Sequence, residues 1–162
     1  VLIPRQDTEI LVEEVMKLTN SESRVLDMCT GSGCIIISLA ASGHTSENGA
    51  VAIDISDDAL KVADYNKKYN NADYIKLIKS DMFSSSECEQ YKNEDNRFDV
   101  IVSNPPYVNY LKENGYLCYE IGYNQAEDVR NIMEQCGYSG IKVIKDLAGL
   151  DRVVIGRLNN IN

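Results

Sequence analysis

Short β-rich runs alternate with helical runs along most of this 162-residue chain, and that alternation narrows the possible folds more than any other feature. Asp7 to Thr19 sets Ile10, Leu11, Val15 and Leu18 at helical spacing, with acidic residues early in the run, as suits a helix N-terminus. Arg24 to Cys29 reads as a first strand and Gly33 to Ala41 as a helix. Ala50 to Ile55 is a second strand, and Asp57 to Asn70 a helix with Ala59, Leu60, Val62 and Ala63 inward. Tyr74 to Ile78 reads as a third strand and Phe98 to Ser103 as a fourth; the serine-rich stretch Ser84 to Asn96 between them is a short helix or a loop. Tyr116 to Ile121 is a fifth strand, and Gln125 to Cys136 a helix ended by Gly137. Ile141 to Lys145 and Arg152 to Leu158 form a closing hairpin. Such alternation builds a parallel sheet with helices on both faces. The expected fold is therefore α/β, a doubly wound, mostly parallel sheet with one antiparallel strand from the C-terminal hairpin. Ligands of such sheets sit beyond the carboxyl ends of the strands, near the switch in strand order.

The length suits one domain of the usual ~100–200 residues. Sixteen basic residues against 25 acidic ones give a net charge of -9. A sequence-independent grip on DNA or RNA needs basic surface to displace counterions, so no stable nucleic-acid binding is expected. No stretch approaches the ~18–20 apolar residues of a membrane span, and no signal-peptide pattern opens the chain. The five cysteines, Cys29, Cys34, Cys88, Cys118 and Cys136, are odd in number and lack C-x-x-C spacing, and His44 is the single histidine. That count, that spacing and the lone histidine argue against a structural zinc site; the cysteines, mostly within apolar runs, read as small buried hydrophobes in a reducing cytosol, which implies a cytoplasmic location.

Asp27-Met28-Cys29-Thr30-Gly31-Ser32-Gly33 lies directly after a strand and before a helix. Its glycines allow a tight turn and close approach of a ligand. Asp54 closes the second strand 21 residues after Gly33, where a carboxylate can accept from ribose hydroxyls. Sheets that bind NAD and sheets that bind S-adenosylmethionine share this arrangement. The third glycine of the dinucleotide fingerprint is replaced by Ile36, and Asp27 suits a positively charged group better than a pyrophosphate. Both features favour a cofactor with an amino-acid end and no phosphate. A plain strand–helix turn is the structural alternative.

Ser103-Asn104-Pro105-Pro106-Tyr107 ends the fourth strand. Two prolines stiffen the loop and leave carbonyls that only accept, and Asn104 adds a side-chain carbonyl. Together they can cradle a planar NH₂ group, with Tyr107 stacked on its face. A rigid loop with a structural asparagine is the alternative. In Leu2-Ile3-Pro4-Arg5-Gln6-Asp7-Thr8-Glu9, Asp7 or Thr8 suits the cap of the first helix. After the third strand, Asp81 can accept from an adenine amino group, with Met82 or Phe83 against the ring; an exposed loop aspartate is the commoner explanation.

These motifs together resemble the HemK/PrmC protein-glutamine N5-methyltransferases. The resemblance runs almost end to end, through Glu120-Ile121-Gly122, the helix carrying Gln125 and the closing Lys145-Asp146-Leu147-Ala148-Gly149-Leu150-Asp151-Arg152. Asn-Pro-Pro-Tyr also occurs in adenine N6 DNA methyltransferases and some rRNA methyltransferases; the Ile-Pro-Arg-x-Asp-Thr-Glu and Asp-Leu-Ala-Gly-x-Asp-Arg segments are more diagnostic. The resemblance implies a Rossmann-like class I S-adenosylmethionine-dependent methyltransferase domain with no metal. It implies methylation of the glutamine in the Gly-Gly-Gln motif of class I peptide chain release factors, giving S-adenosylhomocysteine. By position, Asp27, Thr30, Gly31 and Gly33 are expected at the methionine end, Asp54 at the ribose, and Asp81 with Met82 at the adenine. Asn104, Pro105, Pro106 and Tyr107 are expected to hold the glutamine amide, with Arg5, Thr8 and Glu9 bordering the pocket. The alternative is an adenine N6-methyltransferase acting on DNA or rRNA, since the same cradle fits any planar NH₂; the acidic balance and the Ile-Pro-Arg segment weigh against it.

Residues 1–162 are thus expected to be a methyltransferase catalytic domain without the family's N-terminal helical docking domain. One stretch does not fit. Parallel neighbours need a crossover of about a dozen or more residues, usually a helix, yet only Pro105 to Gly115 separate the fourth and fifth strands. Family members carry several tens of residues there. The sequence therefore predicts a missing segment between Asn109 and Tyr110, with Tyr110-Leu111-Lys112 as the end of its helix.

Overall fold

The structure, a computed structural model, describes residues 6–102 and 111–159. Its elements are α1 (Gln6–Met16), β1 (Val25–Met28), α2 (Cys34–Ala41), β2 (Ala50–Asp54), α3 (Asp57–Tyr69), β3 (Lys76–Lys79), β4 (Phe98–Val102), β5 (Leu111–Glu120), α4 (Ala126–Gln135), β6 (Tyr138–Lys145) and β7 (Asp151–Leu158). The serine-rich stretch resolves into two 3₁₀ turns, Ser86–Lys92 and Glu94–Asn96. Among the described residues, no helix is long and apolar enough to cross a membrane.

The seven strands form one sheet in the order β3-β2-β1-β4-β5-β7-β6. β1, β2, β3, β4 and β5 run parallel, while β7 is antiparallel to β5 and to β6. This is the doubly wound sheet that the alternation predicts. The chain winds outward from β1 through β2 to β3, then returns to place β4 on the other flank of β1. The strand order therefore reverses between β1 and β4, where the two strand ends leave a crevice.

Local chemistry explains the elements. β1 is buried along its whole length, as a central parallel strand covered on both faces must be. α2 (Cys-Ile-Ile-Ile-Ser-Leu-Ala-Ala) is apolar on most sides and sits largely in the core. α3 is amphipathic: the Ser56 hydroxyl accepts from the Ala59 amide at 3.3 Å, Asp57 and Asp58 occupy its first turn, and Lys67 and Lys68 its last. One core layer packs Leu11, Val15, Ile36 and Leu39 of α1 and α2 against Val25, Ala52 and Val100. The opposite layer packs Met133 of α4 and Tyr91 of the 3₁₀ turn against Leu26, Phe98, Ile101 and Val154.

Several boundaries differ from the sequence reading. α1 already includes Gln6, so Asp7 and Thr8 lie in its first turn instead of capping it. β3 begins at Lys76, not Tyr74. β5 begins at Leu111, and so Leu111 and Lys112 are strand residues, not the end of a helix. Leu111 is in register with Phe98, while Lys112 Nζ donates to Asp99 Oδ1 at 2.7 Å. β4 then advances from Phe98 to Val100 while β5 advances from Leu111 to Tyr116, which is a pronounced bulge. Gly115 permits it, since a Cβ there would meet the Asp99 carbonyl at 2.9 Å. β4 and β5 pair in parallel, joined by residues 103–110, which lie outside the described residues.

The cysteines divide by location. All five are free; Cys88 and Cys118 are buried as expected, Cys34 and Cys136 are partly buried, and Cys29 is exposed. His44 has a structural place, its Nδ1 2.9 Å from the Thr19 carbonyl oxygen.

Candidate active site

The crevice at the strand-order switch is floored by the turn between β1 and α2. Backbone bonds close this turn: Thr30 N–H donates to the Ile53 carbonyl at 3.0 Å, and Gly33 N–H to the Thr30 carbonyl at 2.9 Å. Three of its residues have left-handed backbone, with φ of 60° at Cys29, 59° at Gly31 and 79° at Gly33. The two glycines serve different ends. A Cβ on Gly33 would meet Ile37 Cδ1 at 2.8 Å and Ala63 Cβ at 3.3 Å, so this glycine lets α2 pack against α3. A Cβ on Gly31 would meet nothing within 4 Å among the described residues, so this glycine faces away from their packing.

Asp27 lies beneath the turn, only 2% exposed. Its Oδ2 accepts from the Thr30 hydroxyl at 2.7 Å and from the Ile36 amide at 3.3 Å. Burial pushes its carboxyl up to about 7, against the pull of those two hydrogen bonds, and the nearby Asp54 charge adds to the rise. A buried acid poised near neutrality can become fully charged when a cation arrives.

Asp54 ends β2 beside the turn. Its Oδ2 accepts from the Gly31 amide at 2.9 Å and its Oδ1 from the Ser56 amide at 2.9 Å. A carboxylate offers about four acceptor positions, so this one keeps capacity for further donors. The Ser80 amide donates to the Asp54 carbonyl at 3.0 Å and draws the loop after β3 to the same place. In that loop Asp81 is exposed and Met82 is 40% exposed. Phe83 packs against the core, so of the two residues expected against a ring, Met82 is the one exposed.

Two residues were not singled out by sequence. Ile55, next to Asp54, is 63% exposed at the strand end. An apolar residue continuing Ala-Val-Ala-Ile-Asp looks like core; its position just past the acidic strand end was the signal. Glu120 was noted as part of a motif without a role, and its Oε2 accepts from the Thr8 hydroxyl at 3.2 Å. That bond pins the first turn of α1 to the carboxyl end of β5. Thr8 and Glu9 also border a groove between α1 and α2 with Val12, Met16, Cys34 and Ser38. Arg5 and the Asn104-Pro105-Pro106-Tyr107 segment lie outside the described residues. The strand leading to that segment is described: Val102 is in register with Asp27 on one side and Cys118 on the other.

These residues fit the cofactor inferred from sequence. Gly31 faces away from the packing of the described residues, Asp54 has spare acceptor capacity for hydroxyls, Ile55 and Met82 offer apolar surface beside it, and Asp27 supplies a buried carboxylate. Among the described residues, no group of three or more His, Cys, Asp or Glu could hold a metal ion.

Comparison with known proteins places the chain in a family. The family model of the methyltransferase small domain matches residues 6–131. The release factor glutamine methyltransferase of Thermodesulfovibrio yellowstonii is 34% identical, covering 96% of this chain and 68% of that protein. That of Fusobacterium nucleatum subsp. nucleatum is 33% identical, covering 97% of this chain, which spans 54% of that protein. Both alignments extend over 198 residues, more than the 162 of this chain, so both relatives carry residues without a counterpart here. Among solved structures, the ribosomal protein L11 methylase of Lactobacillus delbrueckii subsp. bulgaricus superposes with a TM-score of 0.74 at 21% identity, covering 98% of this chain and 81% of that one. An RNA methyltransferase from Salinibacter ruber, in complex with S-adenosyl-L-homocysteine, gives 0.68 at 18% identity, covering 100% and 96%. The fold is that of S-adenosylmethionine-dependent methyltransferases. With a third of its residues identical over nearly its whole length, the chain belongs to the family of release factor glutamine methyltransferases.

Proposed function

We propose that the protein transfers a methyl group from S-adenosylmethionine to the side-chain amide nitrogen of the glutamine in the Gly-Gly-Gln motif of a class I peptide chain release factor. One observation carries this reading. The glycine turn after β1 and the end of β4, which in sequence leads to the Asn-Pro-Pro-Tyr segment, flank the reversal of strand order between β1 and β4, with Asp27 and Val102 in register. The relatives are named release factor glutamine methyltransferases, which supports the coarser part of this reading.

In this reading Asp27, Thr30 and Gly31 hold the methionine end of the cofactor, and Gly33 keeps the turn in place by letting α2 pack against α3. Asp54 binds the ribose, and Asp81, Met82 and Ile55 border the adenine. Thr8 and Glu9 close the pocket from α1, with Arg5 just before them. When bound, the cofactor supplies an electrophilic methyl on a sulfonium. An amide nitrogen is a weak nucleophile because its lone pair is delocalised. Asn104 and the Pro105 carbonyl accept from its two N–H groups, orient the nitrogen in line and stabilise the positive charge that develops there as the N–CH₃ bond forms and the S–CH₃ bond breaks; one N–H proton then leaves to solvent, and S-adenosylhomocysteine remains. Pro106 stiffens the loop, and Tyr107 packs over the amide. The reading also assigns the residues that the relatives carry in excess to a crossover after Asn109, because only residues 103–110 join two parallel neighbours.

The test offers labelled S-adenosylmethionine with a class I release factor and with DNA in parallel. Label is expected on the release-factor glutamine and not on DNA. Label on adenine alone would replace this reading with the nucleic-acid one.

A further inference from the structure

We infer that the turn between β6 and β7 is a docking ledge for the protein that presents the glutamine, with Leu147 and Leu150 as its apolar contacts. The inference rests on the proposed function, since a ledge is useful only if the substrate is a macromolecule.

The first observation is exposure. Leu147 is 91% exposed, the highest value among the large hydrophobic side chains of the described residues, and Leu150 is 44% exposed. Leu147 contributes almost nothing to the core, and Leu150 leaves nearly half of its surface in water beside it.

The second is that the turn is rigid. Asp146, nearly buried, accepts from the Ala148 and Leu150 amides through Oδ1, both at 2.9 Å, and its own amide donates to the Leu150 carbonyl at 2.8 Å. Its Oδ2 accepts from Arg152 Nη2 at 3.0 Å. Lys145 Nζ donates to Asp151 Oδ1 at 2.7 Å. The charges around the tip are thus paired with one another, and the leucines are presented on an ordered frame. A pre-organised apolar surface binds a partner with little loss of conformational entropy.

The third is place. β7 is antiparallel to β5, with Val153 in register with Glu120, so the turn emerges at the carboxyl ends of the parallel strands, where the site lies. Arg152 Nη1 also donates to the Ile121 carbonyl at 3.3 Å, and the neighbouring Glu120 accepts from Thr8. A continuous set of contacts therefore leads from the tip to the border of the cofactor pocket. β7 lies two strands from β4, or about 10 Å at the usual strand spacing. A protein with its glutamine at the end of β4 has its flanking surface within reach of the tip.

The test compares the unaltered chain with the double variant Leu147→Asp, Leu150→Asp, and with Leu147→Met. Affinities for a class I release factor and for S-adenosylhomocysteine are measured by calorimetry, together with thermal unfolding and sedimentation. The double variant is expected to bind the release factor at least about tenfold more weakly, with S-adenosylhomocysteine affinity, unfolding temperature and oligomeric state unchanged. Leu147→Met is expected to retain binding. Unchanged release-factor affinity in the double variant overturns the inference. So does parallel loss of S-adenosylhomocysteine affinity, which assigns the turn to the fold, or a change in self-association alone, which assigns it to a second copy. If the unaltered chain binds S-adenosylhomocysteine but no release factor, the proposed function fails and the ledge falls with it.

Discussion

The carboxylate of Asp54 accepts a hydrogen bond from the backbone amide of Gly31 at 2.9 Å, which ties the end of β2 to the turn after β1. The two residues lie 23 positions apart in sequence and become neighbours because β1 and β2 pair in parallel. Asp54 thus shapes the glycine turn, and in the proposed function it also binds the ribose. Asp54→Ala is expected to weaken binding of S-adenosylhomocysteine by about 10–100-fold, as fits the loss of charge-assisted hydrogen bonds. Isothermal calorimetry measures this directly. An unchanged affinity would remove Asp54 from the pocket.

Gly31 and Gly33 are expected to separate binding from folding. Gly33→Ala forces a Cβ against Ile37 and Ala63 at a φ of 79°, and is expected to destabilise the fold by about 1–3 kcal/mol. Gly31→Ala meets no atom of the described residues within 4 Å, so among them only its φ of 59° opposes it, at about 1 kcal/mol, while its methyl intrudes on the open side of the turn. Urea unfolding and ligand titration on both variants should show opposite rankings.

The raised pKa of Asp27 makes the free protein sensitive to pH. An aspartate titrates near 3.9 when unfolded, and in the fold burial lifts Asp27 to about 7. Between about pH 4 and pH 7 the folded state therefore holds more of this proton than the unfolded one, and its contribution falls as pH rises through that window. The penalty is complete above about 7, at a few kcal/mol as an order of magnitude. Relative to its parent, Asp27→Asn is expected to gain stability between pH 5 and pH 8, as read from unfolding midpoints. A pH-independent difference between the two would contradict the buried-acid reading.

Asn104→Ala is expected to separate catalysis from cofactor binding. Loss of one electrostatic partner of the transition state commonly costs about 3–4 kcal/mol, or a few hundred-fold in rate. Methyl transfer to the release factor should fall by that factor while S-adenosylhomocysteine affinity stays near that of the parent. Near-normal turnover would remove Asn104 from the cradle.

The β6–β7 turn is expected to loosen in Asp146→Ala. Hydrogen bonds from the Leu150 amide, first among several, and from Arg152 and Ala148 hold the Asp146 carboxyl below the ordinary aspartate range. Its contribution is present at neutral pH and is lost as pH falls through that lowered value. Hydrogen exchange of the Ala148 and Leu150 amides should quicken in the variant, with the β1 amides unaffected.

The strand–helix alternation was legible because period and composition are local. Val25–Met28, Ala50–Asp54 and Phe98–Val102 read as buried strands since both faces of a central parallel strand are apolar. Asp27, Gly31, Gly33 and Asp54 were legible as one cluster at the strand ends because a tight turn between strand and helix favours glycine, and the structure brings Gly31 and Asp54 into hydrogen-bond contact. Ile55 was not, because an exposed isoleucine and a buried one spell the same letter. Leu111 and Lys112 were not, because whether they join a strand depends on Phe98 and Asp99 across the sheet.

By itself, then, the sequence determined the class of sheet, the position of its glycine turn and the family. The tertiary structure decided which glycine packs α2 on α3 and which faces the crevice, that Glu120 holds Thr8, and that Leu147 stands in water at the site's end of the sheet. These are relations between residues far apart in sequence. Local propensity carries no information about them, and strand register and side-chain packing set them.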